Sequence, residues 1–398
     1  MRKILCFVFS LYLSACAITT QSRLDTIQDN FANSNFETTT DSDATNQNNL
    51  DLLINGTALF HDGKYEQSDK VFEEFNKRNL DETSTSLSRE TAGLLFGQSV
   101  NSYKPYMMDS LFVSYYQIWD LLAMHDWANA RVVINQSYER QKNMSIEYQK
   151  LIEDNKKQIS ENSDVREFID KNSNDWLAFR DIMNPALMYL SGIYFLNDGD
   201  FNNATVYLKR ANGMMPDNKF IKTDLEMAQK HIRPTNTTWR FTETGFAPRL
   251  REENASIYIF GIGLIQFTFS DAYQKPNYTI PKDSEMLANV DAMFMTEYNE
   301  YKINEILRAY ASAIAKTTAQ TVIYNSDSQY APLLGVMSSI YTAASSNADV
   351  RTWATLPKYI YVERYKNKDN TNNLIYNREI NGKIIDNKTI NLTKGETK

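Results

Sequence analysis

Residues 192–216 read GIYFLNDGDFNNATVYLKRANGMMP, and the order of small and large residues in them decides the fold. Gly192, Phe195, Gly199, Phe201, Ala204, Leu208 and Ala211 are spaced to put small residues on the facing sides of two helices, with Gly199 at the bend and Pro216 as the stop. The same seven spacings recur at Gly56, Leu59, Gly63, Tyr65, Ser68, Phe72 and Phe75. A weaker third copy has Leu121, Trp127, Ala130, Ile134 and Ser137 at the equivalent places, with Ile118 and His125 where the glycines would be. The copies begin 62 and 74 residues apart, so extra helices separate them.

These motifs resemble tetratricopeptide repeats, in which small residues let two antiparallel helices approach and an aromatic fills the space between them. The first copy departs from the pattern, with Leu80 where the proline falls and Phe75 where a small residue is usual. Working outward, residues 50–233 read as a helical domain ending at Arg233-Pro234. Residues 234–398 change character. Trp239 to Phe241 and Ser256 to Phe269 are rich in aromatic and β-branched residues, as strands are. Ser284 to about Thr318 reads as one long helix with Ile303, Ile306, Leu307, Tyr310 and Ile314 on a stripe, and a second helix is expected over Pro332 to Ser345. Strands are expected again at Tyr359–Tyr365, Asn373–Ile380 and Lys383–Leu392, the last two joined by the hairpin signal Asn381-Gly382. The expected fold is therefore mainly α: tetratricopeptide-like helical hairpins, then an α+β domain with a long helix and antiparallel strands.

Upstream, residues 1–15 have the parts of a secretory signal: Arg2 and Lys3, an apolar run from Ile4 to Leu13, and small residues before Cys16. Leu13-Ser14-Ala15-Cys16 resembles the lipobox of bacterial lipoproteins, which implies cleavage before Cys16 and acylation of its thiol. Residues 16–49 are polar and read as a flexible tether with a reach of roughly 30 Å. Cys6 is discarded with the signal, so no free thiol or disulfide is expected in the mature chain. Ala17, rather than an acidic residue, favours the periplasmic face of the outer membrane. The formal charge of −7 argues against nucleic acid, and no run of eighteen apolar residues follows the signal.

Signatures of chemistry are few. His61, His125 and His231 are the only histidines and lack metal-ligand spacing; His61 and His125 fall in bends between paired helices and read as solvated turn residues. No G-x-S-x-G and no S-x-x-K occurs. Gly261-Ile262-Gly263 has Gln266 in place of the third glycine of a dinucleotide loop and reads as a strand bend. No catalytic residue, metal or cofactor is expected. Arg249, Arg308 and Arg351 could line a pocket for a small anionic ligand; alternatively Arg351 pairs with a carboxylate such as Asp291 and locks helix to strand. Asp349 suits a turn cap, and Asp291 with Asp349 would be the acid and base of a cell-wall enzyme, if one existed. Tyr115, Tyr116, Trp119 and Trp127 form an aromatic patch that reads as core, or else as a groove for a peptide.

Several stretches together resemble a family of bacterial cell-envelope lipoproteins with a repeat-bearing helical half. They are Asn184-Pro185 leading into Tyr189-Leu190-Ser191-Gly192, Gly199-Asp200 ahead of Ala204, and Gly245-Phe246-Ala247-Pro248-Arg249. Val290-Asp291-Ala292 with Arg308 and Lys316 adds to them, as does Ala348-Asp349-Val350-Arg351-Thr352-Trp353-Ala354-Thr355-Leu356-Pro357. Lys104-Pro105-Tyr106 departs from the family, which usually shows a glycine and an acidic residue there. The resemblance covers most of the mature chain and implies no particular activity. The expectation is an envelope scaffold whose helical hairpins present a concave surface to a periplasmic protein or peptide.

Overall fold

The computed structural model describes residues 20–36, 47–81, 103–161, 183–259, 263–274, 278–324 and 348–392. The signal segment, Cys16, the Gly261-Ile262 bend and the expected helix Pro332–Ser345 lie outside them. Helices are α1 over 20–32, α2 Asn49–His61, α3 Tyr65–Asp81, α4 Met107–Ala123, α5 Trp127–Glu161, α6 Pro185–Asp198, α7 Phe201–Met214, α8 Lys219–Gln229 and α9 Val290–Tyr324. Strands are β1 Thr237–Thr244, β2 Arg249–Ile259, β3 Gly263–Tyr273, β4 Glu285–Asn289, β5 Tyr359–Lys366, β6 Asn373–Ile380 and β7 Lys383–Asn391.

The repeated motif folds into three helix pairs, α2/α3, α4/α5 and α6/α7, with one bend. Backbone N–H groups of Lys64, Asp126 and Asp200 donate to the carbonyls of Leu59, Leu121 and Phe195 at 2.9, 2.8 and 3.0 Å. This closure needs a left-handed residue just past the first helix, and Gly63, His125 and Gly199 take φ of 75°, 57° and 80°. His125 therefore occupies a glycine's conformation and is exposed. Caps set the starts: the Asn184 side chain accepts from the N–H groups of Ala186 and Leu187 at 3.0 and 3.1 Å, with Pro185 in the first turn. Gly56 faces Phe72 and Gly192 faces Leu208 so closely that a Cβ would sit 2.5–2.6 Å from the opposing side chain.

The first helices of the pairs, α2, α4 and α6, are buried on nearly all sides, while α3, α5 and α7 each expose a face. What covers the inner helices is a five-stranded sheet of order β4-β5-β1-β6-β7. Trp119 of α4 packs its ring 5.4 Å from Phe241 of β1 and 5.3 Å from Tyr376 of β6. Phe60 of α2 meets Tyr376 at 4.9 Å, and Tyr189 of α6 meets Phe241 at 5.9 Å. One hydrophobic core thus runs from helices to sheet across the Arg233-Pro234 break.

The sheet is mixed, which corrects the expectation of antiparallel strands alone. After β5 the chain crosses over β1 to its other edge, so β6 reverses relative to β5 and runs parallel to β1. The last hairpin forms where expected, with Asn381 and Gly382 at φ of 52° and 76°. The long helix starts at Val290 rather than Ser284. Leu287 and Ala288 are buried in β4 beside β5, and the Asn289 side chain then caps the helix at the N–H of Ala292. β2 and β3 pair in a separate hairpin whose Phe267 and Phe269 pack on Ile306, Leu307 and Tyr310 of α9.

The tether expected over 16–49 is interrupted. Residues 20–32 form α1, with Leu24, Ile27 and Phe31 buried at helical spacing. Gln28 donates to the carbonyl of Ala354 at 2.8 Å, which ties α1 to the segment before β5. Average polarity hid a three-residue stripe.

The close contact at Gly56 yields a test. Gly56→Ala, driving a methyl into Phe72, should lower the unfolding free energy by about 1–3 kcal/mol. Gly213→Ala, where an added Cβ meets nothing within 4 Å, should be neutral or stabilising. Denaturant midpoints of the two variants check this.

Candidate functional site

Each inner helix carries a buried polar side chain bonded to the layer beyond it, directly to a strand or through Asp224 of α8. His61, the last residue of α2, hydrogen-bonds through Nδ1 to Asp386 of β7 at 2.8 Å. The Tyr116 hydroxyl of α4 donates to Glu243 of β1 at 3.0 Å. The Tyr189 hydroxyl of α6 donates to Asp224 of α8 at 2.7 Å; Asp224 also accepts from Trp239 Nε1 of β1 and Arg364 Nε of β5, both at 2.7 Å. A fourth tie comes from Trp353, whose indole N–H lies 2.9 Å from both Thr57 of α2 and Thr355.

Glu243 and Arg378 form the centre of this seam. Both side chains are fully buried, and Arg378 Nη1 stands 3.7 Å from Glu243 Oε2. The guanidinium donates to the carbonyls of Gly245 and Thr355 at 2.7 and 3.3 Å and lies over the rings of Phe31 and Phe246. Burial raises the Glu243 carboxyl, and Arg378 and the neighbouring tyrosines act against that rise. Beside it, burial lowers His61 to about 4 against the pull of Asp386. The imidazole is neutral at pH 7 and its Nδ1–H donates to Asp386, leaving Nε2 toward the Tyr376 hydroxyl at 3.5 Å. Burial also raises Asp386, but His61 and Lys388 outweigh it and hold the carboxyl below its ordinary value. Chemically the seam is a set of opposed charges inside the core, in which Glu243 Oε1 and Arg378 Nε and Nη1 are buried without a hydrogen-bond partner, and its work is positional.

The sequence-derived candidates separate. Tyr115, Tyr116 and Trp119 are fully buried in the seam, as their reading as core expects and their alternative reading as a peptide groove does not, and Trp127 is half-buried beside Tyr194. Arg249 is buried and reaches Asp25 at 3.3 Å and the carbonyl of Gln21 at 3.4 Å on α1. Arg308 is on an exposed face of α9. Arg351 grips Asp349, two residues away, at 2.6 and 2.7 Å, and Asp349 also accepts from the Arg351 N–H as a turn cap. Arg351 does not pair with Asp291, whose partner is Lys358. Both carboxylates proposed as an acid–base pair are thus engaged in separate ion pairs. His61 is not a solvated turn residue: it is buried among Phe31, Phe36 and Phe60. Glu243, Arg378 and Asp224 were missed, although strand periodicity marks the first two: Trp239, Phe241 and Glu243 share one face, as do Leu374, Tyr376 and Arg378.

A second group of buried and half-buried carboxylates lies on α9 and beside it. Glu297 accepts from the N–H groups of Met107 and Met108 (the latter at 2.9 Å) and so caps α4 from outside. Glu305 accepts from the Ser270 N–H and hydroxyl at 3.0 and 2.5 Å, holding β3. Burial raises Glu297 to about 8 and Glu305 to about 7 despite these bonds, and it raises Asp109, bonded to Tyr103, to about 7.

Comparison with protein-family models, characterised proteins and solved structures finds no match to the chain. The resemblance to envelope lipoproteins rests on its motifs alone.

Arg378→Met leaves Glu243 buried without its cation and should lower stability by about 3–5 kcal/mol. Glu243→Gln added to it should recover part of that loss, as read from denaturant unfolding. For the α9 group, a raised folded pKa means that unfolding releases protons between about 4.5 and 8, so these groups lower stability as pH rises through that window. His61 acts oppositely, costing stability as pH falls from 6.5 toward 4. Glu297→Gln should therefore narrow the stability difference between pH 5 and pH 8 by roughly 1–3 kcal/mol, and an unchanged difference would contradict the assignment.

Proposed function

We propose that the chain is an envelope lipoprotein, acylated at Cys16, that serves as an anchored interaction scaffold on the periplasmic face of the outer membrane. The observation that carries the proposal is Leu13-Ser14-Ala15-Cys16 placed only four residues ahead of the first packed helix. Four extended residues span at most about 14 Å, so acyl chains on Cys16 would hold the folded body close against the bilayer. The closely packed helix pairs, two of them with glycine at the crossing and all three with a left-handed bend, support reading them as tetratricopeptide-like repeats. Their inner face is filled by the chain's own sheet, which leaves a periplasmic protein or peptide the outer helices, where Val132, Ile146 and Val206 are exposed. The alternatives gain less: Arg249 and Arg351 already hold carboxylates, and Asp291 already holds Lys358.

Mass spectrometry of the N-terminal peptide from the bacterially expressed chain should show Cys16 as the first residue, carrying diacylglycerol and a further acyl group. Cys16→Ser should move the protein to the soluble fraction. A bare thiol or a retained leader overturns the anchor. Crosslinking of the acylated protein in envelope extracts should recover one specific protein, and loss of that adduct in Val132→Asp/Val206→Asp would assign the outer face.

A further inference from the structure

The β2–β3 hairpin stands apart from the five-stranded sheet and divides sharply along its length. Its root is charged, with Arg249, Arg251, Glu252 and Glu253 on β2 and Asp271 on β3. Residues 254–270 contain no charge at all. One face of the hairpin packs on α9 through Phe267 and Phe269. The other carries cross-strand pairs that run outward from Asn254 with Thr268, through Ser256 with Gln266, to Tyr258 with Leu264. That last pair is exposed, Tyr258 at 71 % and Leu264 at 60 %. Two apolar side chains facing water beside each other, at the far end of an arm about 33 Å long, call for an occupant.

The root says which. Arg249, the first residue of β2, is bonded to Asp25 and to the carbonyl of Gln21 on α1. Gln21 is five residues from Cys16, so the backbone of Cys16 lies within about 18 Å of the residue that the root is bonded to. The hairpin and the proposed acyl anchor therefore spring from one place. Two side chains are far less than the roughly 800 Å² per partner that a specific protein interface buries, whereas they suit shallow insertion into a bilayer on which an anchor already holds the protein. A tyrosine is at home at the boundary between headgroups and acyl chains, and a tip without charge enters that boundary at low cost.

We propose that the tip presented by Tyr258 and Leu264 docks into the lipid bilayer that holds the acylated Cys16. The inference rests on the lipoprotein reading. Acylation consumes the Cys16 thiol, and Cys6 leaves with the signal, so Leu264→Cys provides the only free thiol of the acylated protein. That thiol is labelled with an environment-sensitive fluorophore, and the protein is reconstituted in vesicles of phosphatidylethanolamine and phosphatidylglycerol. Ile146→Cys, exposed on α5, is the control. The position-264 label should emit at shorter wavelength and be quenched by spin-labelled lipid, and Tyr258→Asp in the same chain should reduce the quenching to that of the control. An emission at position 264 equal to the control overturns the proposal. So does a blue shift that lipid-borne quencher leaves untouched, which would mean a second copy or another protein covers the tip. Incorporation of two labels would show a free Cys16, and the anchor itself would then fail, separately from the behaviour of the tip.

Discussion

Three helices buried around nearly their whole circumference cannot be stable as a row of helical pairs, and that constraint organises the molecule. α2, α4 and α6 pack on their own partners with one side and on each other with another, which leaves a third apolar side facing outward from the row. The sheet supplies the missing layer. Trp119 between Phe241 and Tyr376 is the centre of that contact, and a fully buried aromatic of this size gives up several kcal/mol when truncated. The remaining gaps are filled by two further pieces of chain: Trp353 from the segment before β5, and α1 with Phe31 against Phe246. The helical and sheet halves are therefore mutually dependent layers of one core.

Apolar packing would allow the helices to slide over the sheet, because burial is indifferent to small shifts. The polar ties prevent this. His61, Tyr116 and Tyr189 each have one geometrically defined acceptor, and the three acceptors belong to β7, β1 and α8. Moving any strand by one residue turns its inward side chains outward, so Glu243 would lose Tyr116 and Arg378 together. The ion pair at 3.7 Å adds little net stability after desolvation, and its contribution is better described as selecting one register over its neighbours.

The parts of the fold legible in the sequence were those governed by local rules. The spacing of Gly56, Gly63, Gly192 and Gly199 foretold both the bends and the close helix crossings, and Asn381-Gly382 foretold the last hairpin. His125 shows the limit of such rules, because a histidine held in a left-handed conformation by the same backbone closure gives no sequence signal. α1 was invisible to composition because Leu24, Ile27 and Phe31 sit among polar residues, and only their periodicity distinguishes them. The seam was harder still. That Glu243 and Arg378 face inward follows from alternation, but their meeting depends on β6 lying parallel beside β1, a long-range crossover that no local pattern encodes. Arg351 illustrates the opposite error: a distant partner was expected where Asp349, two residues away, sufficed.

Filling the inner face has a consequence for recognition. A stack of helix pairs ordinarily offers its inner groove to a ligand, and here that groove is closed by covalently attached strands at a very high effective concentration. No external peptide could compete without unfolding the core. Any partner of the proposed scaffold would then be met at the periphery, on the outer helices or on the arm formed by β2 and β3. The arm is not an independent appendage. Its root is pinned to α1 by Arg249 on one side and to α9 by Glu305 at Ser270 on the other. Since α1 is also the first packed element after Cys16, any force carried by an acyl anchor would pass through α1 into the root of the hairpin. In the proposed lipoprotein, attachment and arm orientation are thus mechanically one feature.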